Sequence, residues 1–395
     1  MPPYNARISS LPPYPLAHIP RRKRELVARG VDLIDLGAGD AILAPPEAAL
    51  DRMARAIREP AMGRYGFELG LMEYREAIVR FMKKRFGVSF DPLTEVVPLI
   101  GSKEGLAHVA LAYLDHGDYA IMPEPGYNAY MGGTILSNGT PYRYELRADN
   151  DFLVDLEEVP DEVLAKTRIL YLNYPGNPTA AIAPMDYLER VVQTCKQRDI
   201  VLVYDNAYSE VAYDGYVPPS IFEVPGARDV ALEFHSVSKT FNMTGWRCGW
   251  ACGNAELVHG LVTVKSFIDT GSFMAVQAAA AAALDVHDEF VPKNMAIFTE
   301  RRDAAVDAFR ENGFTCSVPK AAMYLWIPLP PHIASAMFAE RLMEEGVIVM
   351  AGSAFGKGGE GFFRISFIAS PERIREAARR AGKVLASFDD PVASA

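Results

Sequence analysis

One lysine is set among hydroxyls in the stretch His235-Ser-Val-Ser-Lys-Thr-Phe-Asn-Met-Thr-Gly-Trp-Arg-Cys-Gly249. Lys239 is flanked by Ser236, Ser238 and Thr240, and Arg247 follows in a Gly-Trp-Arg turn. A lysine amine becomes a covalent catalyst when it condenses with an aldehyde. Neighbouring hydroxyls and a guanidinium suit a phosphate, because arginine offers a two-pronged donor fork to phosphate oxygens. Together they suit an aldehyde-bearing, phosphorylated cofactor of the pyridoxal phosphate type. Ser-x-Ser-Lys by itself reads as an exposed lysine in a Ser/Thr-rich loop; the full stretch is far more specific.

Other residues join this candidate set. Asp205 ends the apolar run Val201–Asp205 and opens Tyr204-Asp-Asn-Ala-Tyr208. Standing alone it reads as a helix N-cap. Arg364 lies between apolar residues in Phe362-Phe-Arg-Ile-Ser-Phe367. A guanidinium on such a strand is costly to bury without an anion, which points to an anionic ligand. Val96–Ile100 runs into Gly101-Ser-Lys-Glu-Gly105 and then the apolar helix Leu106–Leu114. Strand, small-residue loop and helix aim backbone N–H groups and a positive dipole end at an anion, although a plain strand-to-helix turn remains open.

The elements that must hold these residues alternate along the chain. Tyr119–Met122, Thr140–Glu145, Arg168–Asn173, Val201–Asp205 and Ala231–Ser236 are short, apolar and β-rich, with helical segments between most of them. That alternation predicts an α/β fold with a mainly parallel, doubly wound sheet. Ligands in such sheets sit at the carboxyl ends of the strands, where the candidate residues fall. Upstream, a Pro-rich arm should be extended and cross onto another surface, followed by a helix over Leu16–Arg29 and a strand over Val31–Leu36. Helices are predicted over Pro46–Arg58 and Met72–Phe86. From about His287 the texture becomes that of a smaller α+β unit. It has helices over Glu289–Asn312, Ser335–Glu345 and Pro371–Leu385. Its strands are Tyr324–Leu329, Val347–Met350 and Phe363–Phe367, with a Gly-rich loop over Gly352–Gly361. Residues 390–395 should fray.

The chain has 395 residues, enough for two domains, with 40 Lys and Arg against 50 Asp and Glu. The acidic balance argues against a nucleic-acid partner, and Arg21-Arg22-Lys23-Arg24 reads as a solvated helix face. The four cysteines show no paired framework, and Cys248 and Cys252 lack nearby histidines, so no metal site is expected. No run is long enough to span a bilayer and no secretory signal is evident, so the expected setting is cytoplasmic.

Along essentially its whole length the chain resembles the class I/II aminotransferases, the fold-type I pyridoxal-phosphate enzymes. Within them it looks most like the branch holding LL-diaminopimelate aminotransferases and their alanine- and aspartate-using relatives. The closer match rests on Leu11-Pro-Pro-Tyr-Pro-Leu, Asp32–Asp40, Tyr65-Gly-Phe-Glu68, Leu99-Ile-Gly-Ser-Lys-Glu-Gly105 and Ser238-Lys-Thr-Phe-Asn-Met-Thr-Gly-Trp-Arg247. The resemblance implies a large cofactor-binding domain over 45–285, with a seven-stranded-type sheet. It implies a small domain with the N-terminal arm over 1–44 and 286–395.

It further implies that Lys239 carries the cofactor, that Asp205 faces the pyridine nitrogen, and that Tyr208 and Asn177 hydrogen-bond its phenolic oxygen. Asn177 lies in Asn173-Tyr-Pro-Gly-Asn-Pro-Thr179, which alone reads as a plain turn; the resemblance makes Asn177–Pro178 a candidate cis bond. Tyr127 would stack on the ring. Ser102, Lys103, Ser236, Ser238 and Arg247 would cradle the phosphate, and Tyr65 would reach it from a second subunit, giving a homodimer with shared sites. Arg364 would grip the substrate α-carboxylate, helped by the backbone of Gly37. Glu68 matches the branch's reader of a distal ammonium, and also reads as a solvated loop residue.

The implied reaction moves an amino group between an L-amino acid and a 2-oxo acid, with LL-diaminopimelate, aspartate or alanine as donor and 2-oxoglutarate as acceptor. Two departures bear on the donor. Gly39-Asp40-Ala41 replaces the branch's Gly-Asp-Pro, and Met274 is apolar where the branch tends to be polar. A C–S lyase acting on a sulfur amino acid, on the same fold and cofactor residues, is the alternative. A cofactor-sensing transcription regulator is not expected, because only the Pro-rich arm and a short helix precede the first strand.

Overall fold

Aliphatic, β-branched and aromatic residues fill Thr167–Leu172 and Val201–Asp205 on both faces, the mark of strands covered on two sides. They lie at the centre of a seven-stranded sheet in the computed structural model. That model describes residues 3–13, 19–40, 42–66 and 70–388. The spatial order is Val96–Leu99, Gly249–Gly253, Ala231–Ser236, Val201–Asp205, Thr167–Leu172, Tyr119–Glu124, Thr140–Glu145. Gly249–Gly253 runs antiparallel to both neighbours and the remaining pairs are parallel. Alternate residues of one strand feed opposite cores. Leu202 and Tyr204 pack with Leu188 and Val192, while Val203 packs with Leu106, Val109 and Phe234.

The Met72–Phe86 helix forms as expected and stops at Gly87, whose φ of 73° ends it in a left-handed turn. Another helix spans Ser102–Tyr113 and so begins before the expected Leu106, taking Ser102–Gly105 into its first turn. Gly105 allows this: a Cβ there would sit 2.6 Å from Leu99 Cδ1.

The later part of the chain forms a three-stranded antiparallel sheet of Met350–Ala351, Phe362–Ser366 and Tyr324–Pro328. It packs with helices His287–Glu311 and Pro371–Ala386 through Phe309, Phe363, Ile365 and Ala378. The expected strand Val347–Met350 is divided. Val347–Ile348 pairs in parallel with Ile34–Asp35, and Met350–Ala351 joins Phe363 and Arg364. Ile34–Asp35 is all that forms of the expected Val31–Leu36 strand, since among the described residues its sheet partner is that short segment alone.

The arm differs from the extended segment expected. Ala6–Ser10 is helical because Asn5 Oδ1 accepts from the N–H of Ile8, and it lies on the chain's own Leu136, whose carbonyl accepts from Arg7 at 3.2 Å. Residues 14–18, where the Leu16–Arg29 helix was to begin, lie outside the described residues; its described part is Ile19–Ala28. Residues 390–395 also lie outside. The basic cluster is a solvated face, with Arg22 meeting Glu25 and Glu344 and Lys23 meeting Asp35. Among the described residues no helix is long and apolar enough to cross a membrane.

Candidate active site

Strand register brings the carboxyl ends together. Leu99 and Ser236 both pair with Gly249, the amino end of the antiparallel strand, and Asp205 pairs with Phe234, so the carboxyl ends at Leu99, Ser236 and Asp205 share one rim of the sheet. A cavity of about 280 Å³ opens there. Ser102, Lys103, Tyr127, Asn177, Asp205, Tyr208, Ser236, Ser238, Lys239, Arg247 and Arg364 all line it, as the sequence predicts. Asn128, Asn173, Tyr324 and Phe355 line it without having been singled out.

One end of the cavity is built for an anion. Gly101 has φ 71° and ψ 156°, a conformation only glycine adopts readily. A Cβ there would lie 2.5 Å from Arg247 Nη2, so the missing side chain lets the guanidinium rest against the start of the Ser102–Tyr113 helix. Arg247 is anchored by Nη1 donating to the Thr244 carbonyl at 2.8 Å. Ser236 Oγ accepts from the N–H of Ser238 at 3.2 Å. Helix N–H groups, two serines and a guanidinium facing one space suit a phosphate dianion.

The same cavity is lined by Asp205, only 4% exposed. Its Oδ2 accepts from the Tyr130 hydroxyl at 2.7 Å, and its Oδ1 has no partner among the described residues. Burial pushes this carboxyl up to about 6. An orphaned carboxylate oxygen in a cavity wall fits a cationic N–H. Asn173 locks the strand end, its Nδ2 donating to the Asp205 carbonyl and its Oδ1 accepting from Asn177 N–H, each at 2.7 Å. Tyr130 is held by stacking on Tyr171 at 4.7 Å between centroids. Behind Asp205, His235 stacks on Trp250 and meets Glu233 at 2.8 Å.

Lys239 lines the same cavity, and its Nζ donates to the Gly39 carbonyl. Burial pushes its ammonium down, which favours the free amine a nucleophile needs. The hydroxyls of Tyr208 and Tyr324 meet at 2.7 Å.

Arg364 is 5% exposed. Its Nη1 donates to Asn177 Oδ1 and its Nη2 to the Gly37 carbonyl, each at 2.6 Å, while Nε has no partner among the described residues. The guanidinium lies over the rings of Tyr324 at 4.2 Å and Phe355 at 4.8 Å. No carboxylate among the described residues pairs with it, so an incoming carboxylate would supply its counter-charge. Gly37 does not line this cavity; its N–H donates to Asp35 Oδ1 at 3.0 Å and its carbonyl accepts from Arg364 Nη2, so its backbone aims the arginine.

Two expected residues stand apart. Tyr65 is 74% exposed and does not line this cavity. Glu68 lies outside the described residues. Tyr130 was within reach of the sequence, one helical turn past Tyr127. Tyr324 was not, because its partner Tyr208 is 116 residues away. The Asn177–Pro178 bond is cis, as are Glu124–Pro125 and Tyr174–Pro175. An anion cradle, a lysine with a lowered proton affinity and an orphaned carboxylate together fit pyridoxal phosphate.

The family model for aminotransferase class I and II matches residues 31–380. The chain is 43% identical over 384 residues to an LL-diaminopimelate aminotransferase of Moorella thermoacetica, covering 97% of this chain and 98% of that protein. It is 46% identical over 378 residues to the LL-diaminopimelate aminotransferase of Gloeobacter violaceus, covering 95% and 96%. Among solved structures, a probable N-succinyldiaminopimelate aminotransferase from Thermus thermophilus superposes with a TM-score of 0.87 at 35% identity, covering 93% of this chain and 99% of that one. A single mutant of the Thermus thermophilus aspartate aminotransferase gives 0.90 at 29%, covering 98% and 100%. The C–S lyase alternative gains no support from these matches. The chain belongs to the class I and II aminotransferases, pyridoxal-phosphate-dependent transaminases that move an amino group between an amino acid and a 2-oxo acid.

Proposed function

We propose that the amino acid is LL-diaminopimelate and the acceptor 2-oxoglutarate, and that the residues lining the sheet-edge cavity do the work. The observation carrying this reading is the 43% and 46% identity, over nearly the whole chain, to proteins named for that substrate. Aspartate is the second reading, favoured by the superposition on an aspartate aminotransferase.

When bound, pyridoxal phosphate supplies an aldehyde for the amino group and a ring that draws electron density from Cα. Ser102, Lys103, Ser236, Ser238 and Arg247 would hold its phosphate. Tyr127 would pack on its ring, and Asp205 Oδ1 would accept the pyridine N–H. Tyr208 and Asn177 would donate to the phenolic oxygen, with the Asn177 oxygen committed to Arg364. Arg364 binds the substrate α-carboxylate through its fork. Lys239 would carry the cofactor through its amine and, once displaced by substrate, would serve as the base for the Cα proton and the acid that returns it.

The same reading divides the chain into a large cofactor-binding domain over 45–285 and a small domain over 1–44 and 286–395. It makes two copies share their sites, Tyr65 of one reaching the phosphate in the other. The exposure of Tyr65 supports this, as does that of Phe267 at 90% and Ile268 at 55%, in a chain whose other large apolar residues are mostly buried. Glu68 would then read the distal ammonium. A cytoplasmic setting is supported by four buried cysteines, all free thiols.

Purified protein offered LL-diaminopimelate, aspartate, alanine and glutamate, each against 2-oxoglutarate and pyruvate, tests the substrate. The reading requires kcat/KM for LL-diaminopimelate to exceed that for aspartate and alanine at least tenfold. Equal or reversed values overturn it.

A further inference from the structure

Tyr324 begins the strand Tyr324–Pro328 and is only 2% exposed. Its position is more particular than that of a core tyrosine. The hydroxyl meets that of Tyr208 at 2.7 Å, with the rings edge to face at 5.5 Å. It also fills the space of a missing side chain, since a Cβ on Gly39 would lie 2.4 Å from the Tyr324 oxygen. Gly39 is the residue whose carbonyl accepts from Lys239. The Tyr324 ring, in turn, lies under the Arg364 guanidinium at 4.2 Å. One side chain thus touches the cofactor tyrosine, the loop that holds the lysine and the carboxylate-binding arginine.

We propose that Tyr324 is a positioning residue for transamination, its hydroxyl donating to that of Tyr208 and so turning the Tyr208 proton toward the cofactor's phenolic oxygen. The proposal rests on the reading of Tyr208 given above. A hydroxyl has one proton. If Tyr208 spends it on the phenolic oxygen, the 2.7 Å contact requires Tyr324 to be the donor. Accepting that bond polarises the Tyr208 O–H, which makes it the stronger donor. A bond donated to an ionised oxygen favours the species with more negative charge, the one that prevails at higher pH. Losing it moves the titration of the bound cofactor upward.

The test is the pH midpoint of the holoenzyme's visible absorbance for the parent, Tyr208→Phe, Tyr324→Phe and the double variant. Tyr324→Phe keeps the ring under Arg364 and removes only the hydroxyl. Its midpoint should rise by about half a pH unit, the size of one weakened neutral hydrogen bond. Tyr208→Phe should rise further, and the double variant should match Tyr208→Phe alone, because Tyr324 acts through Tyr208. KM for the amino acid should stay within about twofold in Tyr324→Phe, as the ring–guanidinium contact persists. An unmoved Tyr324→Phe midpoint beside a shifted Tyr208→Phe overturns the proposal and leaves the reading of Tyr208 standing. So does a double variant whose shift is the sum of the two. An unmoved Tyr208→Phe overturns that reading and the proposal with it.

Discussion

Asp205 and Arg364 are both buried ionisable groups, each with a polar atom that has no partner among the described residues. Burial raises the Asp205 carboxyl to about 6 from an ordinary 3.8. A raised carboxyl means that the folded chain binds this proton more tightly than the unfolded one. In cofactor-free protein the ionised group therefore costs nothing below about pH 4, and its cost grows between about 4 and 6 and is complete above. At ~1.4 kcal/mol per pH unit that cost is at most about 3 kcal/mol. Cofactor-free Asp205→Asn should accordingly unfold at a higher urea midpoint than the parent at pH 8, with the advantage fading toward pH 4. In the holoenzyme the same substitution should lower kcat at least ~100-fold, because the ring loses the carboxylate that keeps its nitrogen protonated. Arg364 gives the complementary prediction. Arg364→Lys keeps the charge and loses the fork, so KM for the amino acid should rise ~100-fold in steady-state kinetics, while the cofactor's absorbance stays unchanged.

At the scale of elements, the junction from Val96–Leu99 into Ser102–Tyr113 turns on Gly101, whose φ of 71° and ψ of 156° favour glycine. Gly101→Ala would place a Cβ against Arg247 in a conformation that costs a non-glycine residue about 1–3 kcal/mol. The guanidinium must then move off the helix start. Fluorescence titration should show cofactor affinity falling at least ~10-fold, more than the loss of stability alone explains. Which elements were legible in the sequence follows from their physics. Val201–Asp205, apolar up to its final aspartate, and Ala231–Ser236, where Ala231, Leu232 and Phe234 are interleaved with Glu233 and His235, form with the expected limits. Gly249–Gly253 was not read as a strand, because two of its five residues are glycines that weaken any β signal. It exists because Ala231–Ser236 and Val96–Leu99 both pair with it. The residues lining the cavity were legible because they cluster in short motifs. Tyr324 and the carbonyl of Gly37 were not, because their roles arise from partners 116 and 327 residues away.

For the molecule as a whole, the proposed pairing of two copies with shared sites would make an exposed residue matter to the cavity. Phe267, 90% exposed, should be covered by a second copy. Phe267→Asp should shift the mass measured by light scattering toward that of one chain, and cofactor affinity should fall with it as Tyr65 of the second copy withdraws. An unaltered mass would show that this residue lies outside the interface. Every part of the account converges on the amine of Lys239, where sheet edge, anion cradle and orphaned carboxylate meet. Borohydride reduction of the holoenzyme, followed by peptide mass mapping, tests that convergence most directly. The account predicts one cofactor mass per chain, on the peptide containing Lys239, and none in Lys239→Ala. A label on another lysine, or a Lys239→Ala variant that still turns over at the parent rate, would contradict it.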